Sequence, residues 1–237
     1  EAGMKAYLWN HQINNPPEDL IRPPLEGRPQ RRLILDDDRL WDWLEDRYDR
    51  VVERVPNFDG IILSLTESTF QVHRDHVGIS AMDQSERMAK VINTVHATLS
   101  RHGKELMVRD FLRNPGEVDS FLKALDHIPE EVGVFTKCVP NDWQYKYPPH
   151  PLLGRVAPHK QVMELDLFNE TGGNRGMVLP APEYYRDQLK LARERDLAGA
   201  IGRCDDGFSA NVGTPAEFNV LSTSRLLHDP DADVDAL

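Results

Sequence analysis

Short apolar runs alternate with amphipathic helical patterns along most of the chain, and this alternation limits the fold more than any other feature. Six runs have the length and apolar content of strands, and no tight-turn signal such as Asn-Gly joins one to the next. Strands that are each followed by a helix or a long loop pair in parallel. The predicted strands are 5–9, 61–65, 105–111, 132–139, 162–167 and 198–203, and the predicted helices are 40–55, 82–102, one from Pro115, 181–195 and 215–227.

The length of the chain fits one domain with one core. Its 237 residues, 40% of them apolar, are close to the roughly 250 residues of an α/β barrel. A doubly wound sheet normally carries a glycine-rich phosphate turn after its first strand, and none is present. The sequence therefore predicts an α/β fold of the (β/α)8 TIM-barrel type that lacks its first two strands. We expect the partial barrel over residues 1–213 and a post-barrel helix and tail over 214–237.

Net charge and cysteine content exclude several classes of protein. The net charge is −11 and the basic residues are scattered, which argues against nucleic-acid and membrane partners. Cys138 and Cys204 are the only cysteines, so we expect no disulfide framework and a reducing compartment such as the cytoplasm. No cofactor motif is present, and no cofactor is predicted.

A half-open barrel leaves sheet edges that a homodimer or a missing N-terminal portion would cover.

Two glutamates stand at the ends of predicted strands. Glu67 closes the run 59–67 and Glu170 closes the run 161–170. Barrel enzymes carry their catalytic residues at the carboxyl ends of strands, so the pair is a candidate acid and base. Strand alternation places Glu67 on the same face as Leu63 and Leu65, above an apolar layer that suits a general acid. The alternative is a helix N-cap or a solvated carboxylate.

Alternation also divides the strand 161–170 into two faces. Met163, Leu165 and Leu167 share one face, and we expect this face to pack under helices. Glu164 and Asp166 then point into the barrel, where a charge is costly unless it is paired or used. The alternative to a functional role is an internal ion pair with Arg109 or Arg203.

Two basic residues end other strands and give the site a possible anion clamp. Arg109 ends one strand and Lys137 ends another, so both charges are expected near a substrate carboxylate. The alternative is that they neutralise the acidic residues Glu164, Asp166 and Asp142.

The proline-rich loop over 139–149 combines a carboxylate with flat aromatic rings. Asp142 lies beside Trp143, Tyr145 and Tyr147. Aromatic rings stack on sugar rings and carboxylates bind hydroxyls, so the loop favours a saccharide site. A plain structural lid is the alternative.

Two acidic or histidine clusters resemble metal sites only weakly. His73, Asp75 and His76 have a metal-like spacing, as do the three aspartates at 36–38. Solvated histidines and a helix N-cap are the simpler interpretations, and no metal is predicted.

Three segments together resemble the α-glucuronidases, which remove glucuronic acid from xylan fragments. The run 59–67 is similar to the strand that carries the catalytic acid of that family, and this resemblance implies that Glu67 is the proton donor. The segments 142–148, 151–154 and 164–170 are similar in order and spacing to the region with its two candidate bases. The resemblance implies that Asp142 or Glu170 is the base. From the aromatic loop and the inward face of the strand, we expect Trp143 and Glu164 to contact substrate.

Arg109 and Lys137 also resemble the family, because they fall where it places the basic groups that hold the uronate carboxylate. Asn219 and the segment 225–230 look like the post-barrel helix. The chain departs from the pattern at Leu63, where a lysine is expected, and in the absence of the N-terminal domain and first strands. The resemblance implies an inverting glycosidase with carboxyl groups about 6.5–9.5 Å apart.

Two other functions stay open. Glu67, Asp166 and Asp205 are possible ligands of a divalent metal, with Lys137 as the base of a barrel lyase or isomerase that acts on a sugar acid. A non-catalytic fragment that binds saccharide through Trp143 and Tyr145 is the third interpretation.

Overall fold

The structure is a computed structural model that describes residues 3–24, 31–74, 77–110, 114–140, 147–168, 180–204, 213 and 215–233. These residues divide between two compact units, Glu1–Val134 and Phe135–Leu237. The boundary falls inside one strand.

The described residues form nine strands and five α-helices. The strands are β1 (Tyr7–His11), β2 (Ile21–Arg22), β3 (Arg32–Ile34), β4 (Gly60–Ser64), β5 (Gly78–Ile79), β6 (Glu105–Asp110), β7 (Gly133–Lys137), β8 (Gln161–Asp166) and β9 (Gly199–Arg203). The helices are α1 (Asp38–Arg54), α2 (Gln84–Arg101), α3 (Pro115–Leu125), α4 (Pro182–Glu194) and α5 (Pro215–His228).

Six strands form one sheet in the order β1-β4-β6-β7-β8-β9. The pairs β1 with β4, β4 with β6 and β8 with β9 are parallel. The prediction of a mixed α/β fold with a parallel sheet is therefore confirmed. Each predicted strand and helix is present, with ends within about two residues of the predicted ones.

A second, small sheet was missed by the sequence analysis. It has the order β2-β3-β5, with β2 antiparallel and β5 parallel to β3. Two of its strands have two residues and the third has three. Runs of this length are too short to show any periodicity.

In the first unit, short polar motifs fix the ends of the helices. Asp37 is the N-cap of α1 and accepts a hydrogen bond from the Arg39 amide, while Asp38 lies in the first turn. Asp83 and Glu86 form a capping box at the start of α2. Gly103 follows α2 with a φ of +66°, a left-handed conformation that glycine adopts without strain.

In the second unit, the two faces of β8 separate as predicted. Met163, Leu165 and Leu167 are buried in one apolar cluster with Tyr185 and Leu189 of α4. The hydroxyl of Tyr185 donates to the carbonyl of Asp166 over 2.8 Å, which ties the helix to the end of the strand. This packing leaves Glu164 and Asp166 on the opposite face of β8.

Within the described residues, no helix is long and apolar enough to cross a membrane.

Candidate active site

Glu67 follows the carboxyl end of β4, but its backbone does not continue the strand. The strand ends at Ser64, and Glu67 has a φ of +58°. Residues other than glycine rarely adopt this left-handed conformation, which clusters at functional sites. The predicted alternation with Leu63 and Leu65 therefore does not extend to Glu67. Its side chain is 47% exposed instead of lying above an apolar layer.

Two nitrogen-bearing side chains contact the carboxylate of Glu67. The Nη1 atom of Arg109 lies 3.5 Å from Oε2 of Glu67, and Nδ1 of His11 lies 3.9 Å from the same oxygen. Arg109 is the next-to-last residue of β6 and is only 4% exposed. The ends of β1, β4 and β6 thus bring together one acid, one buried cation and one imidazole.

Trp9 joins the two partners of Glu67. The guanidinium of Arg109 lies 4.7 Å from the centre of the Trp9 ring, within the range of a cation–π interaction. The indole Nε1 of the same residue donates to Nε2 of His11 over 3.2 Å. Trp9, His11, Glu67 and Arg109 therefore form a closed ring of contacts, which we call the β1 ring.

The hydrogen bonds of His11 fix its protonation pattern. Its Nδ1 lies 2.9 Å from the carbonyl oxygen of Thr66, which only accepts, so Nδ1 carries the proton. Its Nε2 accepts from Trp9 and carries none. His11 is thus placed as the neutral Nδ1–H tautomer, and it holds the peptide immediately before Glu67.

Backbone and side-chain hydrogen bonds attach the rest of the loop after β4 to the segment after β1. The amide of Gln12 donates to the Ser64 carbonyl over 3.0 Å. The amide of Thr69 donates to Oδ1 of Asn14 over 2.5 Å. These bonds hold Glu67 between two anchored ends of its loop.

In the second unit, the predicted site residues of β7 and β8 are buried. Lys137 is 2% exposed, Glu164 is 0% exposed and Asp166 is 4% exposed. The amide of Cys138 donates to the Glu164 carbonyl over 2.9 Å, so the carboxyl ends of the two strands lie together. Charges of both signs are therefore buried at one strand edge, and the use of Lys137 and Glu164 in substrate binding stays a prediction.

Two neighbours of these residues are held uncharged. Burial, together with the positive charge of Lys137, lowers the pKa of His150 to about 4, so its imidazole is neutral at pH 7. Burial raises the pKa of the Cys138 thiol to about 12, which makes Cys138 an unreactive thiol. His150 accepts a hydrogen bond at Nδ1 from the Leu152 amide.

The structure brings only part of the predicted site together. Arg109 lies against Glu67, whereas Lys137 and Glu164 belong to the other unit. Asp142, Trp143, Tyr145, Glu170 and Asp205 lie outside the described residues. Tyr147, from the same loop as Trp143, is 40% exposed. The roles predicted for all of these residues, inside and outside the described part of the chain, stay predictions.

The weak metal signals have ordinary explanations where the structure describes them. Asp36 accepts hydrogen bonds from Ser80 and Ala81, and Asp37 caps α1. The expectation of a solvated histidine is wrong for His73, which is fully buried 3.8 Å from a carboxylate oxygen of Glu117, while Asp75 and His76 lie outside the described residues. In the part of the chain that the structure describes, no three His, Cys, Asp or Glu residues are grouped so as to hold a metal.

Trp9, His11 and His150 were missed by the sequence analysis. Trp9 and His11 alternate at the carboxyl end of the first predicted strand, and this pattern was the available signal. His150 follows the aromatic loop by a few residues, and nothing in its sequence neighbourhood indicates burial beside Lys137.

Comparison with known proteins decides the family. The family model for the glycosyl hydrolase family 67 middle domain matches residues 34–201, which is more than half of the chain. The chain belongs to glycosyl hydrolase family 67. This confirms the resemblance to the α-glucuronidase family. The matched part of this family 67 chain contains Glu67, Arg109 and Lys137, whereas Trp9 and His11 precede it.

Other comparisons add little to the family 67 assignment. A search of curated proteins found no match. Among solved structures, the chain is similar to a sugar phosphate isomerase/epimerase from Parabacteroides distasonis, with 10% sequence identity and a TM-score of 0.49. That similarity covers 84% of this chain and 69% of the other.

Proposed function

We propose that this chain is the catalytic part of a glycosidase that hydrolyses a uronic-acid-bearing oligosaccharide, such as a decorated xylan fragment, with Glu67 as the proton donor. The observation that carries the proposal is the placement of Glu67 beside the buried Arg109 at the carboxyl ends of β4 and β6 in a family 67 chain. Catalytic groups of barrel enzymes occupy this edge. The proposal includes a (β/α)8 barrel to which residues 1–213 contribute.

Each group has one task in the proposed reaction. Glu67 gives its proton to the glycosidic oxygen as the bond between that oxygen and the anomeric carbon breaks. A water molecule attacks the anomeric carbon from the opposite face, and Asp142 or Glu170 takes its proton. The anomeric configuration is therefore inverted.

Arg109 and Lys137 supply the recognition of the substrate carboxylate. The planar guanidinium of Arg109 can bind a carboxylate with two parallel hydrogen bonds. Its burial keeps competing water away and strengthens these bonds. Leu63 stands where the family resemblance places a lysine, so this chain relies on two cations instead of three.

The test is hydrolysis of a panel of oligosaccharides that differ only in carrying a uronate or the matching neutral sugar. NMR follows the anomer of the first product. We expect cleavage of the uronate-bearing members with inversion. Cleavage of neutral members alone would refute the uronate assignment, and a retained anomer would refute the inverting mechanism. Loss of activity on chelation would instead favour the metal-dependent lyase or isomerase.

A further inference from the structure

We propose that Trp9 is a positioning residue for the acid, acting through two different parts of its indole. The ring face holds Arg109 and the N–H group holds His11. The inference rests on the proposed function, because it assigns Trp9 a part in the step that Glu67 performs. Trp9 lies before the residues that match the family model, so the match does not assign it.

The contact with Arg109 fixes the direction of a buried cation. The guanidinium lies 4.7 Å from the ring centre, and Arg109 is 4% exposed. Cation–π attraction increases when water is excluded from the cation. The parallel register pairs Trp9 with Ile62 and Arg109 with Ser64, on opposite sides of β4. The two side chains therefore meet across the strand that ends just before Glu67.

The hydrogen bond to His11 fixes the tautomer of an imidazole. Because the indole N–H can only donate, Nε2 of His11 must accept and its proton must lie on Nδ1. That proton is directed at the Thr66 carbonyl, one residue before Glu67. A tautomeric change would place two acceptors, Nδ1 and the carbonyl oxygen, face to face. Trp9 thus stabilises the strained backbone of Glu67 through His11.

Two substitutions of Trp9 distinguish its contact with Arg109 from its hydrogen bond to His11. Trp9→Phe keeps an aromatic face for Arg109 and removes the N–H donor. Trp9→Leu removes both. Trp9 is 42% exposed, so neither change opens a cavity in the core. Trp43→Leu is the matched control, because Trp43 has its own cation–π contact with Arg47, 5.5 Å away on α1 and outside the β1 ring.

Steady-state kinetics on a uronate-bearing oligosaccharide distinguish positioning from general stabilisation. We expect Trp9→Phe to lower kcat about tenfold and leave KM within about twofold, because a misplaced acid slows only the chemical step. Trp9→Leu should also raise KM about tenfold, because Arg109 then loses its fixed direction for the substrate carboxylate. Trp43→Leu should change neither constant. Kinetic constants in both Trp9 variants that equal those of Trp43→Leu would overturn the proposal.

A second measurement does not depend on turnover. The nitrogen-15 shifts of the His11 ring report its tautomer, and we expect the Nδ1–H form in the parent and in Trp43→Leu. In Trp9→Phe the shifts should move toward a mixture of the two tautomers. Unchanged shifts in Trp9→Phe would overturn the positioning role. If the parent cleaves no uronate-bearing substrate, the proposed function fails, and these shifts still decide whether Trp9 positions His11.

Discussion

The Nη1 atom of Arg109 lies 3.5 Å from Oε2 of Glu67, although the two residues come from different strands and differ greatly in exposure. Register explains their proximity, since Arg109 pairs with Ser64 and Glu67 follows three residues later. Glu67 has a left-handed backbone conformation, and its carboxylate lies against the guanidinium of Arg109. The structure thus places a buried cation beside a half-exposed acid at the strand ends, where the proposed recognition of a uronate carboxylate depends on the cation.

Removing the charge of Arg109 should weaken binding of uronate-bearing substrates. Charge-assisted hydrogen bonds contribute about 1.5–3 kcal/mol, so Arg109→Met should lower kcat/KM for a uronate substrate by roughly 10- to 100-fold. The control is Arg101→Met, because Arg101 makes exposed ion pairs with Glu45 and Asp49 at 3.3 Å. Initial rates on the uronate and the matching neutral substrate measure the effect. Equal losses on both substrates would contradict a carboxylate contact.

The buried hydroxyl of Tyr185 should stabilise the second unit. It donates to the Asp166 carbonyl, and Tyr185 is 0% exposed. Tyr185→Phe removes this donor and should lower the free energy of unfolding by about 1 kcal/mol. Tyr147→Phe is the control, because Tyr147 is 40% exposed and should change little. Urea denaturation of both variants gives the comparison, and an equal effect in the two would show that the hydrogen bond contributes nothing.

His150 should make stability depend on mildly acidic pH. Its pKa falls from about 6.5 in the unfolded chain to about 4 in the folded one, so the unfolded chain binds the proton first. The contribution of His150 to the free energy of unfolding is therefore full above about pH 6.5. It is lost as the pH falls toward 4, and the loss is at most about 3 kcal/mol.

His150→Asn isolates this contribution. The side-chain oxygen of asparagine can still accept the Leu152 amide that Nδ1 of His150 accepts. Urea unfolding at pH 7 and pH 4.5 should show a smaller fall in stability for the variant than for the parent. The same fall in both proteins would mean that His150 is protonated equally in the folded and unfolded chains.

Most of the regular structure could be predicted from the sequence, because its signals are local. Proline begins α3 and α4, Gly103 ends α2, and the alternation of Met163 with Glu164 separates the faces of β8. These features need only the residue types and their spacing. The two- and three-residue strands of the small sheet carry no such signal and depend on tertiary pairing.

Single residues of the candidate site could be predicted from the sequence, but the contacts between them could not. Glu67 and Arg109 were selected because they end strands, but their contact depends on the register of β4 with β6. Trp9 and His11 enter through the pairing of β1 with β4, which sequence order alone does not reveal. The positive φ of Glu67 was not predictable either, because glutamate has no preference for that conformation.

The role of Glu67 as proton donor is tested most directly by Glu67→Gln on two substrates that differ only in their leaving group. An acid is needed for a poor leaving group such as a sugar alcohol, and is hardly needed for one that departs as a stable anion, such as dinitrophenolate. We expect Glu67→Gln to lower kcat at least about 100-fold on the uronate-bearing oligosaccharide and far less on the matching dinitrophenyl glycoside. Glu53→Gln, an exposed change on α1, should leave both rates unchanged. Equal loss on the two substrates, or full activity on both, would contradict the assignment of Glu67 as the acid.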